Sequence, residues 1–152
     1  VEGEIGFSFE ASFDRTSYEI REKCAEFTGT SAGMHTAAAG VYLATMGPEG
    51  MKDVGELIMH RCAYAKKKFS QLKGVEVKLS GVSFKEFVVD FSGTGKTVKE
   101  INEKLLKKNI IGGLDLSGIY NGMENHMLVC VTEIHSREDI DCLIDAVADI
   151  ID

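Results

Sequence analysis

Apolar positions along the chain change period several times, and each change marks an element. Near the start Ile5, Phe7 and Phe9 alternate with polar or small residues, which predicts a short strand. From Ser31 to Met46 the residues are small and Ala-rich, which predicts a helix packed closely on a neighbour. Gly47 is expected to end it, and Pro48 to prevent its resuming at once. A second helix is predicted from about Gly50 to Leu72, with Met51, Val54, Leu57, Ile58, Cys62, Ala65, Phe69 and Leu72 at steps of three and four. Lys66, Lys67 and Lys68 fall in its later turns, where cations suit the helix dipole. The period then drops to two. Val75, Val77 and Leu79 alternate with Glu76 and Lys78 as a half-buried strand, and Lys85 to Phe91 reads as another. The residues between them suit a hairpin or a short connection. Thr97 and Glu100 form a capping box ahead of a third helix, striped by Val98, Ile101, Leu105 and Leu106. Ile110 to Leu116 reads as a short extended piece broken by two glycines, and Met127 to Val131 as a central strand. Ser136 and Asp139 cap a last helix with the stripe Ile140, Leu143, Ile144, Val147 and Ile151.

The order is helix, helix, strand, strand, helix, strand, strand, helix. It predicts an α+β fold, a small mainly antiparallel sheet with helices packed on one face. At 152 residues the chain is one domain in size and can bury a core without staples. Residues 1–16 are set apart as an N-terminal segment continuing from upstream sequence, and 17–152 as the domain proper. The absence of an initial Met supports the expectation of a longer parent. Charge narrows the function classes. Lys and Arg total 17 against 24 for Asp and Glu, a net −7, which opposes binding to nucleic acid or to an anionic membrane. No apolar run approaches the roughly 18 residues of a membrane span. Cys24, Cys62, Cys130 and Cys142 lack metal-ligand spacing and read as reduced, mostly buried thiols of a cytoplasmic protein.

Motifs of the kinds that carry chemistry each have a plainer explanation here. Ser92-Gly-Thr-Gly-Lys-Thr97 looks like the end of a phosphate-binding loop, but Asp90 occupies the position of the first glycine, where a carboxylate would oppose phosphate. A turn followed by a helix cap accounts for the segment. Ser70-Gln-Leu-Lys73 matches an S-x-x-K pattern without its companion motifs. His35, His60, His126 and His135 are scattered, and a triad would need distant partners. Gly112-Gly113 with Asp115 permits close backbone approach, positive φ, or a strand bend. Glu124-Asn125-His126 and Thr132-Glu133 place polar groups at both ends of the central strand. The residues alone therefore give an α+β domain without an internal catalytic constellation.

Three segments carry a resemblance. Tyr42-Leu-Ala-Thr-Met-Gly-Pro-Glu-Gly-Met51, Asn109-Ile-Ile-Gly-Gly-Leu-Asp-Leu116 and Glu124-Asn-His-Met-Leu-Val-Cys-Val-Thr-Glu133 are similar to stretches of the glycine decarboxylases of the glycine cleavage system. The likeness is to subunit 1 of the two-subunit form near its C-terminal end, and order and spacing agree from about Tyr18 to Asp152. Arg21-Glu-Lys23 matches the family, but Cys24-Ala-Glu-Phe27 departs from its usual Ala-Thr-Ser-Asn. The resemblance implies the small C-terminal domain of the aspartate-aminotransferase type of fold. It implies pyridoxal phosphate in the parent, held through a lysine of subunit 2. It also implies packing against the parent's own large domain and against subunit 2 in a heterotetramer, and service to a lipoyl carrier protein. The piece alone is expected to be inactive and to hold no cofactor. Gly112, Gly113, Asp115, Asn125, His126 and Glu133 are the residues expected nearest a site in the assembled enzyme. A free-standing α+β binding module, or the small domain of another pyridoxal-phosphate enzyme, remains an alternative.

Overall fold

The computed structural model describes residues 33–79 and 81–152. The strand expected around Ile5, Phe7 and Phe9, the Arg21–Lys23 motif and Cys24 lie outside the described residues. The chain divides into two compact units, Val1–Met46 and Gly47–Asp152, and each is taken by itself.

Of the first unit, residues 33–46 are described, and they are helical. Residues 33–45 are exposed, including Met34 and Val41. A Cβ added at Gly40 would meet nothing within 4 Å. The close packing expected from Ala37-Ala-Ala-Gly40 is thus not supplied by the described residues.

The helical run α1 spans Gly33–Phe69 and carries one break, at Gly47, whose φ of 62° lies outside the helical region. Here the expectation fails in an instructive way. Pro48 does not delay the next helix but opens it, because a proline in a first turn has no N–H to leave unpaired and its φ is already helical. Beyond the break, Ile58, Cys62, Ala65 and Phe69 are buried at the anticipated spacing. Met51 and Leu57, earlier in the same stripe, are exposed.

The sheet has four strands: β1 (Glu76–Lys78), β2 (Glu86–Asp90), β3 (Leu114–Asp115) and β4 (His126–Cys130). Their order is β1-β2-β4-β3, and every pairing is antiparallel. Because side chains alternate across a sheet, register fixes the two faces. Val77, Phe87, Val89, Met127 and Val129 share one face with the helices. There they meet Cys62, Ala65 and Phe69 of α1, Val98, Ile101 and Leu105 of α2 (Val98–Lys107), and Ile140, Ile144, Val147 and Ile150 of α3 (Arg137–Ile151). Phe69 packs edge-on against Phe87 and Phe91, with ring centroids 5.9 and 6.4 Å apart, a geometry favoured by the ring quadrupoles. The helices therefore cover one face of a small antiparallel sheet, as the pattern of elements implies.

Both capping boxes form. Thr97 accepts from the Glu100 amide while Glu100 accepts from the Thr97 amide, and Ser136 and Asp139 do the same for α3. Three local expectations need correction. Leu106 is 64% exposed while Leu105 is fully buried, since consecutive residues lie about 100° apart on a helix and only one can face the core. The extended piece Ile110–Leu116 shrinks to the two residues of β3. Leu79 leaves its strand with φ of 58° and is exposed.

Candidate functional site

The six residues singled out from sequence fall in three places around β4. Gly112 and Gly113 enter β3 through a narrow gap. An added Cβ at Gly112 would lie 2.2 Å from Asn102 Oδ1 and 3.0 Å from Leu105 Cδ1, on α2. At Gly113 it would lie 2.3 Å from the Leu128 carbonyl oxygen and 2.6 Å from Met127 Cγ, on β4. Neither glycine has positive φ. Of the readings open at the level of sequence, close backbone approach is the one realised. Asn102 ties the segment down, its Nδ2 donating to the Gly113 carbonyl at 2.9 Å. Its Oδ1 is buried without a hydrogen-bond partner.

Asp115, Asn125 and His126 gather at the N-terminal end of β4. Asp115 is paired with Met127, and the Leu116 amide donates to the His126 carbonyl at 3.0 Å. The Asp115 carboxylate accepts from the Ser117 amide at 2.9 Å, closing a local turn. The Asn125 carbonyl accepts from the Phe91 amide at 2.9 Å. On the sheet face away from the helices, His126 joins a polar line that the sequence reading overlooked. Register places Asp90 beside both His126 and Glu76. His126 Nε2 is 3.8 Å from Asp90 Oδ2, and Lys78 Nζ is 3.5 Å from Asp90 Oδ2 and 2.6 Å from Glu76 Oε2. Burial pushes the Asp90 carboxyl up, but hydrogen bonding from Ser92 and the charges of His126 and Lys78 outweigh this and hold it below the usual carboxylate range. His126 Nδ1 is buried and unpartnered. Strand alternation was the available signal, since Lys78 and Asp90 both point away from the apolar set of their strands.

Glu133 lies apart, beyond the other end of β4. It is exposed, and its backbone carbonyl accepts from Arg61 Nη1 of α1. The structure thus gathers Asp115, Asn125 and His126 at the N-terminal end of β4, sets Gly112 and Gly113 between α2 and the later part of that strand, and leaves Glu133 beyond its C-terminal end.

The remaining motifs resolve into structure. Asp90 accepts from the Ser92 amide at 2.8 Å, Ser92–Thr94 forms a single 3-10 turn, and Gly93 packs against the backbone of Gly74. The amides of Ser92, Thr94, Lys96 and Thr97 are bonded within the chain. The Ser70 hydroxyl of the S-x-x-K match donates to the Lys67 carbonyl at 2.8 Å. Of the thiols, only Cys62 is buried among the described residues, and burial pushes it up. Cys130 and Cys142 are exposed, which corrects the expectation of mostly buried cysteines. Cys142 faces solvent because the apolar stripe of α3 passes through its neighbours Leu143 and Ile144 instead.

Among the described residues no group of three His, Cys, Asp or Glu is placed to hold a metal ion. A helix N-terminus is the usual anion cradle, but those of α2 and α3 already hold the carboxylates of Glu100 and Asp139. A hollow of about 570 Å³ along α3 is lined by Glu138, Asp141, Asp145 and Asp149 together with Lys108, which pairs with Asp149. A hollow of about 290 Å³ carries Lys66, Lys67 and Lys78. There Lys66 is bonded to Ser83 Oγ, and Lys78 is engaged by two carboxylates.

Comparison with known proteins follows from this geometry. A family model described as "Glycine cleavage system P-protein" matches residues 15–147. The chain is 39% identical over 130 residues to "Probable glycine dehydrogenase (decarboxylating) subunit 1" of Bacillus thuringiensis (strain Al Hakam), and equally to that of Bacillus anthracis (strain A0248). Each match covers 86% of this chain and 28% of the relative. The fold matches a crystal structure of glycine decarboxylase (P-protein) in inhibitor-bound form with TM-score 0.70 and 23% identity, over 86% of this chain and 29% of that one. A sphingosine-1-phosphate lyase of Burkholderia pseudomallei matches with TM-score 0.63 and 16% identity, over 82% of this chain and 26% of that one.

Proposed function

This chain belongs to the glycine cleavage system P-protein family, and from that premise we propose that it is the small C-terminal domain of subunit 1 of a two-subunit glycine decarboxylase. The observation that carries the reading is the 39% identity to subunit 1 across 130 residues, while the chain spans only 28% of those relatives' length. In this reading the parent is a cytoplasmic heterotetramer that releases carbon dioxide from glycine and passes the aminomethyl group to a lipoyl carrier protein. Pyridoxal phosphate supplies the electron sink for that chemistry. Its lysine is supplied by subunit 2. The chain's own work is mechanical and electrostatic. It presents Asp115, Asn125 and His126 at the N-terminal end of β4, Gly112 and Gly113 between α2 and β4, and Glu133 beyond the strand's C-terminal end. Its exposed arm of α1 packs on the parent's large domain or on subunit 2. The isolated chain is inactive.

A domain exchange tests this. The matching 130 residues of the Bacillus thuringiensis subunit 1 are replaced by those of this chain, and the chimera is combined with subunit 2 and the carrier protein. The expected result is glycine-dependent release of carbon dioxide above the level given by subunit 2 alone. A chimera that folds and assembles with subunit 2 yet gives no turnover overturns the reading. A chimera that ignores subunit 2, while this chain by itself melts cooperatively, favours the free-standing module instead.

A further inference from the structure

Charge is spread unevenly along this chain. Residues 61–85 carry seven Lys or Arg and a single carboxylate, Glu76, in a chain whose net charge is −7. Two of the seven are neutralised at home. Lys68 pairs with Asp141 at 3.0 Å, and Lys78 pairs with Glu76 and Asp90. Among the described residues no carboxylate pairs with Lys66, Lys67, Lys73 or Lys85.

The fold gathers part of this excess into one face. Steps of three and four along α1 place Met59, Ala63, Lys66, Lys67 and Ser70 on one side of the helix. The link from β1 to β2 lies against that side. Lys66 Nζ donates across to the Gly81 carbonyl at 3.4 Å and to Ser83 Oγ at 3.1 Å. Both acceptors are neutral, so these bonds hold the link without cancelling the charge. Two open hollows of about 290 Å³ each share Lys66 as a wall. One runs along Lys67, Ser70 and Leu79, and the other along Met59 and Val82. Met59, Leu79 and Val82 are exposed beside the ammonium groups, Val82 at 91%.

A basic face on an otherwise acidic protein attracts a partner of opposite sign. The apolar side chains among the charges suit a protein surface better than a nucleic acid, which is gripped mainly through its phosphates. Permanent interfaces are large and apolar, which is the character of the exposed arm of α1 with Met34, Val41 and Leu43. A face that mixes unpaired charge with a few apolar contacts is the kind that speeds encounter and permits release. In the proposed assembly the large domain and subunit 2 remain in place, whereas the carrier must dock and leave in every cycle.

We propose that the face centred on Lys66 and Lys67 is where an acidic surface of the lipoyl carrier protein docks transiently on the assembled enzyme. The choice of partner rests on the function proposed above, and the face itself rests on the geometry of this chain. Lys67 supplies an attracting charge, Val82 an apolar contact, and Lys66 both a charge and the tie that holds the link.

The test is steady-state kinetics of the parent subunit in complex with subunit 2, with two acceptors compared, the lipoylated carrier protein and free lipoic acid. The variants are Lys67→Glu, Val82→Ser and, as a control of equal charge change, Lys107→Glu, which lies at the far end of α2 and lines neither hollow. Lys67→Glu should raise the KM for the carrier by about tenfold, leave kcat unchanged, and weaken the rise of that KM with salt. Val82→Ser should raise it by a smaller factor and keep the salt dependence. Neither should alter turnover with free lipoic acid, and Lys107→Glu should alter nothing. A KM for the carrier that is the same in Lys67→Glu and Lys107→Glu overturns the docking face, and undiminished turnover with free lipoic acid then leaves the proposed function standing. Loss of subunit 2 from the Lys67→Glu complex on gel filtration overturns it in favour of a permanent interface. Salt-sensitive binding of a single-stranded oligonucleotide that Lys67→Glu abolishes, with the KM unmoved, overturns it in favour of nucleic acid. An unaltered complex that turns over glycine with neither acceptor overturns the function, and this choice of partner with it.

Discussion

Gly113→Ala is the sharpest test of how the candidate site is built. The added methyl carbon would lie 2.3 Å from the Leu128 carbonyl oxygen, 3.0 Å from its carbonyl carbon and 2.6 Å from Met127 Cγ. Carbon and carbonyl oxygen normally approach no closer than about 3.3 Å, so β3 and β4 must separate by about 1 Å at this point. That displacement carries a 2.9 Å hydrogen bond out of bonding range, and β3 has only the pairs Leu114↔Leu128 and Asp115↔Met127 to lose. Overpacking of this kind costs about 1–3 kcal/mol, and a lost ladder bond adds about 1 kcal/mol. A total near 3 kcal/mol follows. At roughly 2–4 °C per kcal/mol for a chain of this size, Tm should fall by about 10 °C. Gly112→Ala is the control. Its methyl meets Asn102 Oδ1 at 2.2 Å and Leu105 Cδ1 at 3.0 Å, both ends of side chains that can turn aside. The cost there is about 1 kcal/mol, chiefly the strained bond from Asn102 to Gly113. Circular-dichroism melts and urea titrations of the two variants decide the matter. If Gly113→Ala is as mild as Gly112→Ala, the immovable backbone of β4 is not what requires a glycine, and the argument fails.

Two further outcomes are expected. Leu105→Ala, at a fully buried position on α2, should cost about 2–5 kcal/mol, while Leu106→Ala next to it should change stability by less than about 0.5 kcal/mol; comparable urea midpoints for the two would contradict the placement of the helix. Asp90→Asn should lower stability at neutral pH by removing the carboxylate shared by Ser92, Lys78 and His126. Because the folded carboxyl is held below its ordinary value, its contribution is complete above the unfolded pKa of about 3.9 and disappears as pH falls through the lower folded value. The gap between the wild type and this variant should therefore close below about pH 4, and a gap that persists or widens in acid would refute the assignment.

Much of the fold was legible because periodicity and caps act locally. The two capping boxes, the stripe Ile58-Cys62-Ala65-Phe69 and the central strand all depend on residues within a turn or two of each other, and all form. Pattern reading failed where the deciding contact was distant or the geometry admitted two answers. Pro48 can end one helix or begin the next, and only its flanking backbone decides. Leu105 and Leu106 are equally apolar, and the choice between them depends on the angle at which α2 meets the sheet. The site shows the same division. The glycine pair was visible as an oddity in sequence, but that it serves close approach is a fact about α2 and β4, eleven and fifteen residues away by their contacts with Asn102 and Leu128. The Lys78–Asp90–His126 line needed the strand register, and the contact of Arg61 with Glu133 spans 72 residues of sequence.

The placement of charge suits the positioning role proposed for this unit. An α+β domain usually offers anions its helix N-termini, yet here Glu100 and Asp139 close those of α2 and α3 from within. The same bonds hold both carboxyls below their ordinary range, so they stay ionised at lower pH than a free carboxylate would. The chain is held at two ends. At the entry to β3 the backbone is wedged between α2 and β4, where Gly113 meets a carbonyl that cannot turn aside. Beyond the C-terminal end of β4, Arg61 and His135 pin a turn from α1 and from the start of α3. Each end is thus fixed to at least two elements of the core, which is the condition for holding a side chain in one place against a site assembled elsewhere. Loosening either attachment should disturb position before it disturbs folding. The Arg61 contact is the one to cut first, since it is exposed and its loss leaves the buried cluster of Cys62, Ala65 and Phe69 intact.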